Sequence, residues 1–333
     1  MPDVITFGEI MLRLTTPGFQ RFAQAAHFEI TFGGAEANVA VAIAQAGGSA
    51  GFVTKLPDNE IADRLLAELR SLRVEVGKVV RGGSRLGTYY LEHGAGQRSG
   101  KVIYDRAHSA IAEAQPSDFD WDQIFAGAQW FHWSGITPAL STSAAAIARE
   151  ACAAAQRLGL TVSFDVNYRS KLWTREQAGA VLAPMLQQVD LCVTSAEEIA
   201  VVFGLEIPPE GPDREVLAAQ IFREKFGLQS VALTLRRAST AGQTRWGAML
   251  YDGKVAVFSR MHEVTIVDRL GAGDSFTGAL IFALRRGDAP AKALDFAVAA
   301  SCLKHTIPGD YNLASLAEIE ALAAGADGGR VQR

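Results

Sequence analysis

Apolar residues recur along the chain with two alternating periods. Short runs rich in β-branched and aromatic residues read as strands: Val4–Phe7, Ala50–Thr54, Val74–Val80, Trp130–Trp133, Thr161–Asp165, Leu191–Thr194 and Val231–Leu235. Between and after them lie stretches with helical periodicity, namely Ala35–Ala46, Asp58–Leu72, Ser141–Leu158, Asp213–Phe226 and Ala289–His305. This alternation predicts an α/β fold, a doubly wound, mostly parallel sheet with helices on both faces. The rhythm breaks near the start, where Leu12, Leu14, Phe19 and Phe28–Phe32 alternate with polar residues. It breaks again where Leu86–Glu92 and Lys101–Tyr104 flank the polar, glycine-bearing His93–Gly100. Together these stretches predict a small β-rich lid from about residues 11–32 and 86–106, standing off the main sheet. Trp246–Tyr251 and Lys254–Ser259 form a further hairpin about Asp252-Gly253. No repeat or linker divides the chain, so 1–322 reads as one domain and 323–333 as a tail without periodicity.

Chemistry concentrates in Val264–Leu280, VTIVDRLGAGDSFTGAL. A strand pattern breaks at Gly271 and Gly273, places Asp274 next, and continues as a helix through Leu284. The first amides of a helix lack internal partners and lie at the positive end of its dipole, so a glycine turn there makes an anion site. Asp274 in the same turn is itself an anion and suits a different task, taking a proton from a hydroxyl held beside a phosphate. Taken alone, GAGD also reads as a glycine turn whose aspartate caps the helix. A dinucleotide loop fits less well, because the glycines are spaced GxGxxxxG and little chain remains for a βαβ unit.

Composition narrows the classes. At 49% hydrophobic and 20% charged, with a net charge of −4, the chain has neither a disordered bias nor a basic stripe for nucleic acid. Cys152, Cys192 and Cys302 are widely spaced and read as buried thiols in a reducing compartment. The N-terminus enters a strand at once, and no apolar run reaches membrane length. A cytoplasmic, soluble protein without a membrane partner is expected.

Two stretches then carry a resemblance. GGAEANVAVAIAQAG near the start and VDRLGAGDSFTGAL near the end resemble the paired signatures of the ribokinase-type (PfkB) carbohydrate kinases, in their expected order and separation. LGTYYLE, VIYDRAHSA, DVNYRSKLW and KHTIPGDYN are similar to that family's 2-keto-3-deoxygluconate kinase branch. The resemblance implies a ribokinase-like fold, ATP as donor, Mg²⁺ as metal, and transfer to the 6-hydroxyl of 2-keto-3-deoxy-D-gluconate. It implies that Asp274 is the catalytic base and that Gly271, Ala272 and Gly273 form the anion hole. It places Gly33, Gly34, Asn38, Tyr89, Tyr104, Arg106, Asn167, Arg169 and Asp274 around the substrate. Nucleotide contacts fall to Gly271, Gly273, Thr194, Leu235 and Lys304, with adenine near Ala299–Lys304. Two departures stand out. The metal-linked NxxE reads Thr194-Ser-Ala-Glu197, leaving the magnesium role to Glu197 without its Asn. The usual DTxGAGD reads Asp268-Arg-Leu-GAGD, which counts against a monovalent-cation site near Asp268.

The residues bear on the substrate directly. Arg106 follows a lid strand and Arg169 a sheet strand at its ligand edge, so two guanidiniums from different elements can grip a carboxylate. Tyr89 and Tyr104, on facing lid strands, are expected to bond sugar hydroxyls. The alternatives are a neutral-sugar kinase of fructokinase or ribokinase type, an NAD-linked oxidoreductase, and a non-catalytic sugar-acid binder. Edge strands of the lid predict a homo-oligomer, a dimer or higher, joined through the lids.

Overall fold

The computed structural model describes residues 1–211, 213–240 and 242–326, and for 237–240 the backbone alone. Among them a nine-stranded sheet runs Ala256–Phe258, Gln243–Tyr251, Ser230–Thr240, Leu191–Thr194, Thr161–Asp165, Trp130–Ser134, Val4–Phe7, Ala50–Val53, with His262–Thr265 beside Gln243–Tyr251. Pairing is parallel from Ser230–Thr240 through Ala50–Val53 and antiparallel beyond it. The expected doubly wound α/β fold is present.

Strand alternation divides the core. Val4, Ala50, Phe52 and Trp130 meet one helical layer, which includes the alanine-rich Ala35–Gln45 and Ala272–Arg285. Ile5, Phe7, Phe131 and Phe164 meet the other, which includes Thr142–Arg157 and Arg214–Phe226. Sheet strands wholly buried on both faces explain why their sequences read as unbroken apolar runs. The two signature helices approach so closely that a Cβ at Gly278 would lie 2.7 Å from the Val39 carbonyl.

The second, four-stranded sheet runs Glu29–Gly33, Met11–Thr15, Gly87–Glu92, Lys101–Asp105. Its pairing is antiparallel except between Met11–Thr15 and Gly87–Glu92. These strands are the ones expected of the lid.

Several boundaries differ. Val74–Val80 is not one strand: Glu75 makes an isolated bridge to Gly51, and only Val80–Arg81 pairs, with Lys55–Leu56. A turn interrupts it, with the Gly77 amide donating to the Glu75 carboxylate at 2.6 Å and Val79 to the Val76 carbonyl at 3.2 Å. Val231–Leu235 extends into a long hairpin, Ser230–Thr240 with Gln243–Tyr251. Helices Arg175–Met185 and Leu316–Ala323 add to those expected, each opened by a capping box, Thr174/Gln177 and Ser315/Glu318. Of the expected tail, residues 327–333 lie outside the described residues. The three cysteines are free and buried, and no described helix is long and apolar enough to cross a membrane.

Candidate active site

The strand His262–Thr265 leads into a turn that two neighbours shape. Val267 and Asp268 amides donate to the His305 carbonyl at 2.8 and 3.1 Å. The Asp268 carboxylate accepts from the Leu270 amide at 3.1 Å, the Gly309 amide at 3.1 Å and Arg13 Nη2 at 2.5 Å. Gly271 then takes a left-handed φ of 78° and caps the helix Ala272–Arg285. A Cβ there would stand 1.9 Å from the Asp310 carbonyl, so both conformation and contact require glycine. Gly273 is different. A Cβ on it would meet nothing within 4 Å, so its missing side chain leaves the helix's first amides open to the cavity in front.

Asp274 lies partly buried at the rim of that helix end. Its Oδ2 accepts from Asn38 Nδ2 at 2.7 Å, and Asn38 Oδ1 accepts from the Gly34 amide at 3.3 Å. Burial pushes the Asp274 carboxyl up to about 6, against the opposing pull of Asn38 and the Arg169 charge. A cavity of about 540 Å³ opens beside it, lined also by Asp165, Asn167, Arg169, Thr194, Glu198, Thr234, Arg236 and Arg269. Asn167 holds a left-handed φ of 42°, its amide donating to Asp165 Oδ1 at 3.1 Å. Leu235 lines an adjoining cavity of about 710 Å³ that shares Thr234 and Arg236 with the first. Thr194 donates to Glu198 Oε2 at 3.1 Å.

Carboxyl groups accumulate here. Burial raises Asp165 and Glu198, and Glu198 raises Asp165 further. Glu36, fully buried beneath, is pushed up to about 7 by burial, although its Oε1 accepts from Ser134 and Thr137.

The metal-linked carboxylate expected at Glu197 needs correction. Glu197 is 68% exposed and pairs with Arg214 at 2.9 Å. Its neighbour Glu198 is only half-buried but turned inward, accepting from the Tyr168 amide at 3.0 Å. Both acids line the cavity, but neighbouring helix positions point about 100° apart, and Arg214 holds Glu197 at the exposed side. Lys304 is likewise not placed toward a nucleotide: it is fully buried, and its Nζ donates to backbone carbonyls. Ala299 and Ala300 are buried too, and Ser301 donates to the Ala272 carbonyl at 2.8 Å, so that helix face offers no surface to adenine.

Small-sheet residues divide between frame and cavity. Tyr89, expected to bond a sugar hydroxyl, is buried and donates instead to Asp310 Oδ1 at 2.7 Å. Asp310 also accepts from Arg13 Nη1 at 2.6 Å. Gly33 and Gly34 make room for this frame: a Cβ would stand 2.2 Å from Asp310 Oδ2 and 2.0 Å from the Glu9 carbonyl, respectively. Arg106 stacks 4.3 Å from the Tyr104 ring centre and lies 3.3 Å from Glu9 Oε2. Its Nε and Nη1 are buried without hydrogen-bond partners among the described residues. Arg169 borders the cavity, and two residues on, Lys171 Nζ donates to the Val102 carbonyl at 2.9 Å and lies 5.9 Å from the Tyr104 ring centre. Arg106 and Lys171 thus approach Tyr104 from separate elements, while Arg169 borders the cavity.

Sequence reasoning missed Arg13, Asp268, Asp310 and Glu198. Arg13 had a signal: a lone charge on the alternation of Met11–Thr15, at a position that faces inward.

Comparison with known proteins shows the family. The pattern described as pfkB family carbohydrate kinase matches residues 1–315. The chain is 36% identical to the 2-dehydro-3-deoxygalactonokinase of Haloferax volcanii, over 98% of both proteins. It is 31% identical to the 2-dehydro-3-deoxygluconokinase of Thermoproteus tenax, over 93% of this chain and 90% of that protein. The crystal structure of the 2-dehydro-3-deoxygluconokinase of Thermotoga maritima superposes with a TM-score of 0.95 at 47% identity, covering 97% of this chain and 98% of that one. This chain belongs to the pfkB family of carbohydrate kinases.

Proposed function

We propose that the chain transfers the γ-phosphoryl group of ATP to the 6-hydroxyl of 2-keto-3-deoxy-D-gluconate, giving the 6-phosphate and ADP. The observation that carries this reading is the Asn38–Asp274 bond at a helix N-terminus whose cavity also holds Arg169. Kinases acting on 2-keto-3-deoxy sugar acids among its relatives support the acceptor class. Asp274 orients the hydroxyl and takes its proton as the O–P bond forms and the bond to the β-phosphate oxygen breaks. Proton transfer comes late, because a carboxylate is far too weak a base to form an alkoxide beforehand. The amides of Ala272, Gly273 and Asp274 then face the charge on the phosphoryl oxygens.

Arg106 and Arg169 take the carboxylate at the other end of the sugar. Arg106, stacked on Tyr104 with its Nη1 3.3 Å from Glu9 Oε2, keeps a buried Nε without a hydrogen-bond partner among the described residues, and a guanidinium meets a carboxylate as a fork. Asn38, Asn167 and Tyr104 are left for the hydroxyls, while Tyr89 acts through Asp310. The nucleotide occupies the joined cavities at Thr194, Thr234 and Leu235, with Arg236 beside its phosphates. Asp165 and Glu198 present only oxygen donors in a crowd of acids, which fits Mg²⁺. Bound there with ATP, the ion supplies charge neutralisation for the phosphates. The small sheet closes over the acceptor as a lid and excludes water. A coupled ADP-release screen over acid and neutral sugars, with NMR of the product, tests the reading. Turnover confined to 2-keto-3-deoxy sugar acids, with phosphate on C6, supports it; preference for fructose or ribose contradicts it.

A further inference from the structure

We infer that Lys304 is a positioning residue for phosphoryl transfer, a tethered cation that locks the turn entering the anion hole to the loop carrying Asp310. Lys304 ends the helix Pro290–Lys304 and is wholly buried. Taking an ammonium out of water is costly unless its protons are bonded, and a carboxylate is the usual partner. Here the hydrogen bonds go to main-chain oxygens, to the Ile307 carbonyl at 3.0 Å and the Asp268 carbonyl at 3.4 Å. The acids nearby are engaged elsewhere: Asp268 with Arg13 and two amides, Asp310 with Arg13 and Tyr89. The ammonium therefore works on carbonyl dipoles, as a bare cation does on oxygen ligands.

Those two carbonyls belong to segments that frame the anion hole. Asp268 stands three residues before Gly271, and Ile307 three before Asp310, whose own carbonyl presses against Gly271. Carbonyl oxygens converging on one point repel each other, so without a positive charge between them the two segments shift against each other about the amide hydrogen bonds that still join them at His305 and Gly309. Any such shift carries the Ala272 and Gly273 amides away from the phosphoryl oxygens. Misplacement of about an ångström in such a site costs on the order of 10²-fold in rate.

This inference rests on the kinase activity, not on which sugar is the acceptor. The test compares the wild type, Lys304→Met and Lys304→Ala, with ATP binding followed by calorimetry alongside turnover. Wild-type kcat should be indifferent when choline replaces sodium, potassium or ammonium. Lys304→Met keeps the stem and its volume but removes the charge, so kcat should fall on the order of 10²-fold. Lys304→Ala leaves a hole that the Asp268 and Ile307 carbonyl oxygens face, and methylammonium or ethylammonium should restore both ATP affinity and kcat, saturably and with a size optimum. A packing role predicts the reverse, with methionine competent and amines inert. Activity of Lys304→Met within a few-fold of wild type overturns the inference, as does a wild-type requirement for a monovalent ion. So does loss in Lys304→Ala that no amine recovers. If alanine unfolds the protein, the methionine variant and the wild-type ion series still decide. Failure of the sugar-acid reading shows separately, as a wild type that binds ATP but turns over no sugar acid.

Discussion

Asn38 Nδ2 donates to Asp274 Oδ2 at 2.7 Å, across 236 positions of sequence, and so joins the helices that begin at the two signatures. The close approach of Gly278 to Val39 lets those helices meet, and the bond fixes the carboxylate's orientation from outside its own turn. Asp274→Asn keeps the shape but cannot accept a proton. kcat should fall by about 10²-fold or more while ATP affinity holds. Steady-state kinetics with calorimetry check it, and kcat within a few-fold of wild type would leave Asp274 a mere cap.

The same carboxyl sets a pH limb. Burial pushes it up to about 6, and only its ionised form accepts a proton. kcat/KM should therefore rise with pH through about 6 and level off above it. The Asn38 bond favours the carboxylate, so Asn38→Ala should move the limb to higher pH. A pH–rate profile of both proteins decides, and a limb that stays put or moves down would contradict the assignment.

Arg13 supports the site from beneath, fully buried between Asp268 and Asp310. Arg13→Met leaves two buried carboxylates without their cation. Breaking a buried pair in this way costs about 3–5 kcal/mol. Urea unfolding should show that loss, whereas a change below about 1 kcal/mol would place the pair with ordinary surface contacts.

The face of the small sheet opposite Arg13 carries an apolar row across all four strands. Leu14 pairs with Ile30 on one side and Tyr90 on the other, and Tyr90 pairs with Ile103. Ile30 is 45% exposed and Ile103 is 43% exposed. We propose that a second copy covers this row in a two-fold dimer. Light scattering should give a dimer at micromolar concentration and a monomer for Ile103→Glu; a monomeric wild type would sink the proposal.

Much of this was legible from residue patterns, and the failures share a cause. Strand and helix periods located the parallel sheet, and GAGD located the helix N-terminus, because both are local signals. The small sheet was legible because its strands alternate while the buried strands do not. Val74–Val80 failed because the turn at Gly77 depends on a side-chain bond from Glu75 that periodicity does not register. Glu197 and Glu198 share one motif and line one cavity, and spacing does not show that Arg214 holds the first. Tyr89 and Lys304 are residue types that suit ligands, yet the fold uses both internally. Their partners, Asp310 for the tyrosine and the Asp268 and Ile307 carbonyls for the lysine, come from distant or folded-back chain that no spacing reveals.

The proposed function assigns recognition of an acid sugar to Arg106 and Arg169, and steady-state kinetics of their alanine variants on matched acid and neutral acceptors test it most directly. Gripping the carboxylate positions the remote hydroxyl, so losing a guanidinium should harm both KM and kcat. A charge-assisted bond is worth about 1.5–3 kcal/mol, so each variant should lose roughly ten- to a hundredfold in kcat/KM on 2-keto-3-deoxygluconate. Lysine should restore only part of this, and the penalty should nearly vanish on an analogue without the carboxylate. An equal loss on both acceptors would mean that the arginines hold the fold or the nucleotide, and would contradict the sugar-acid assignment.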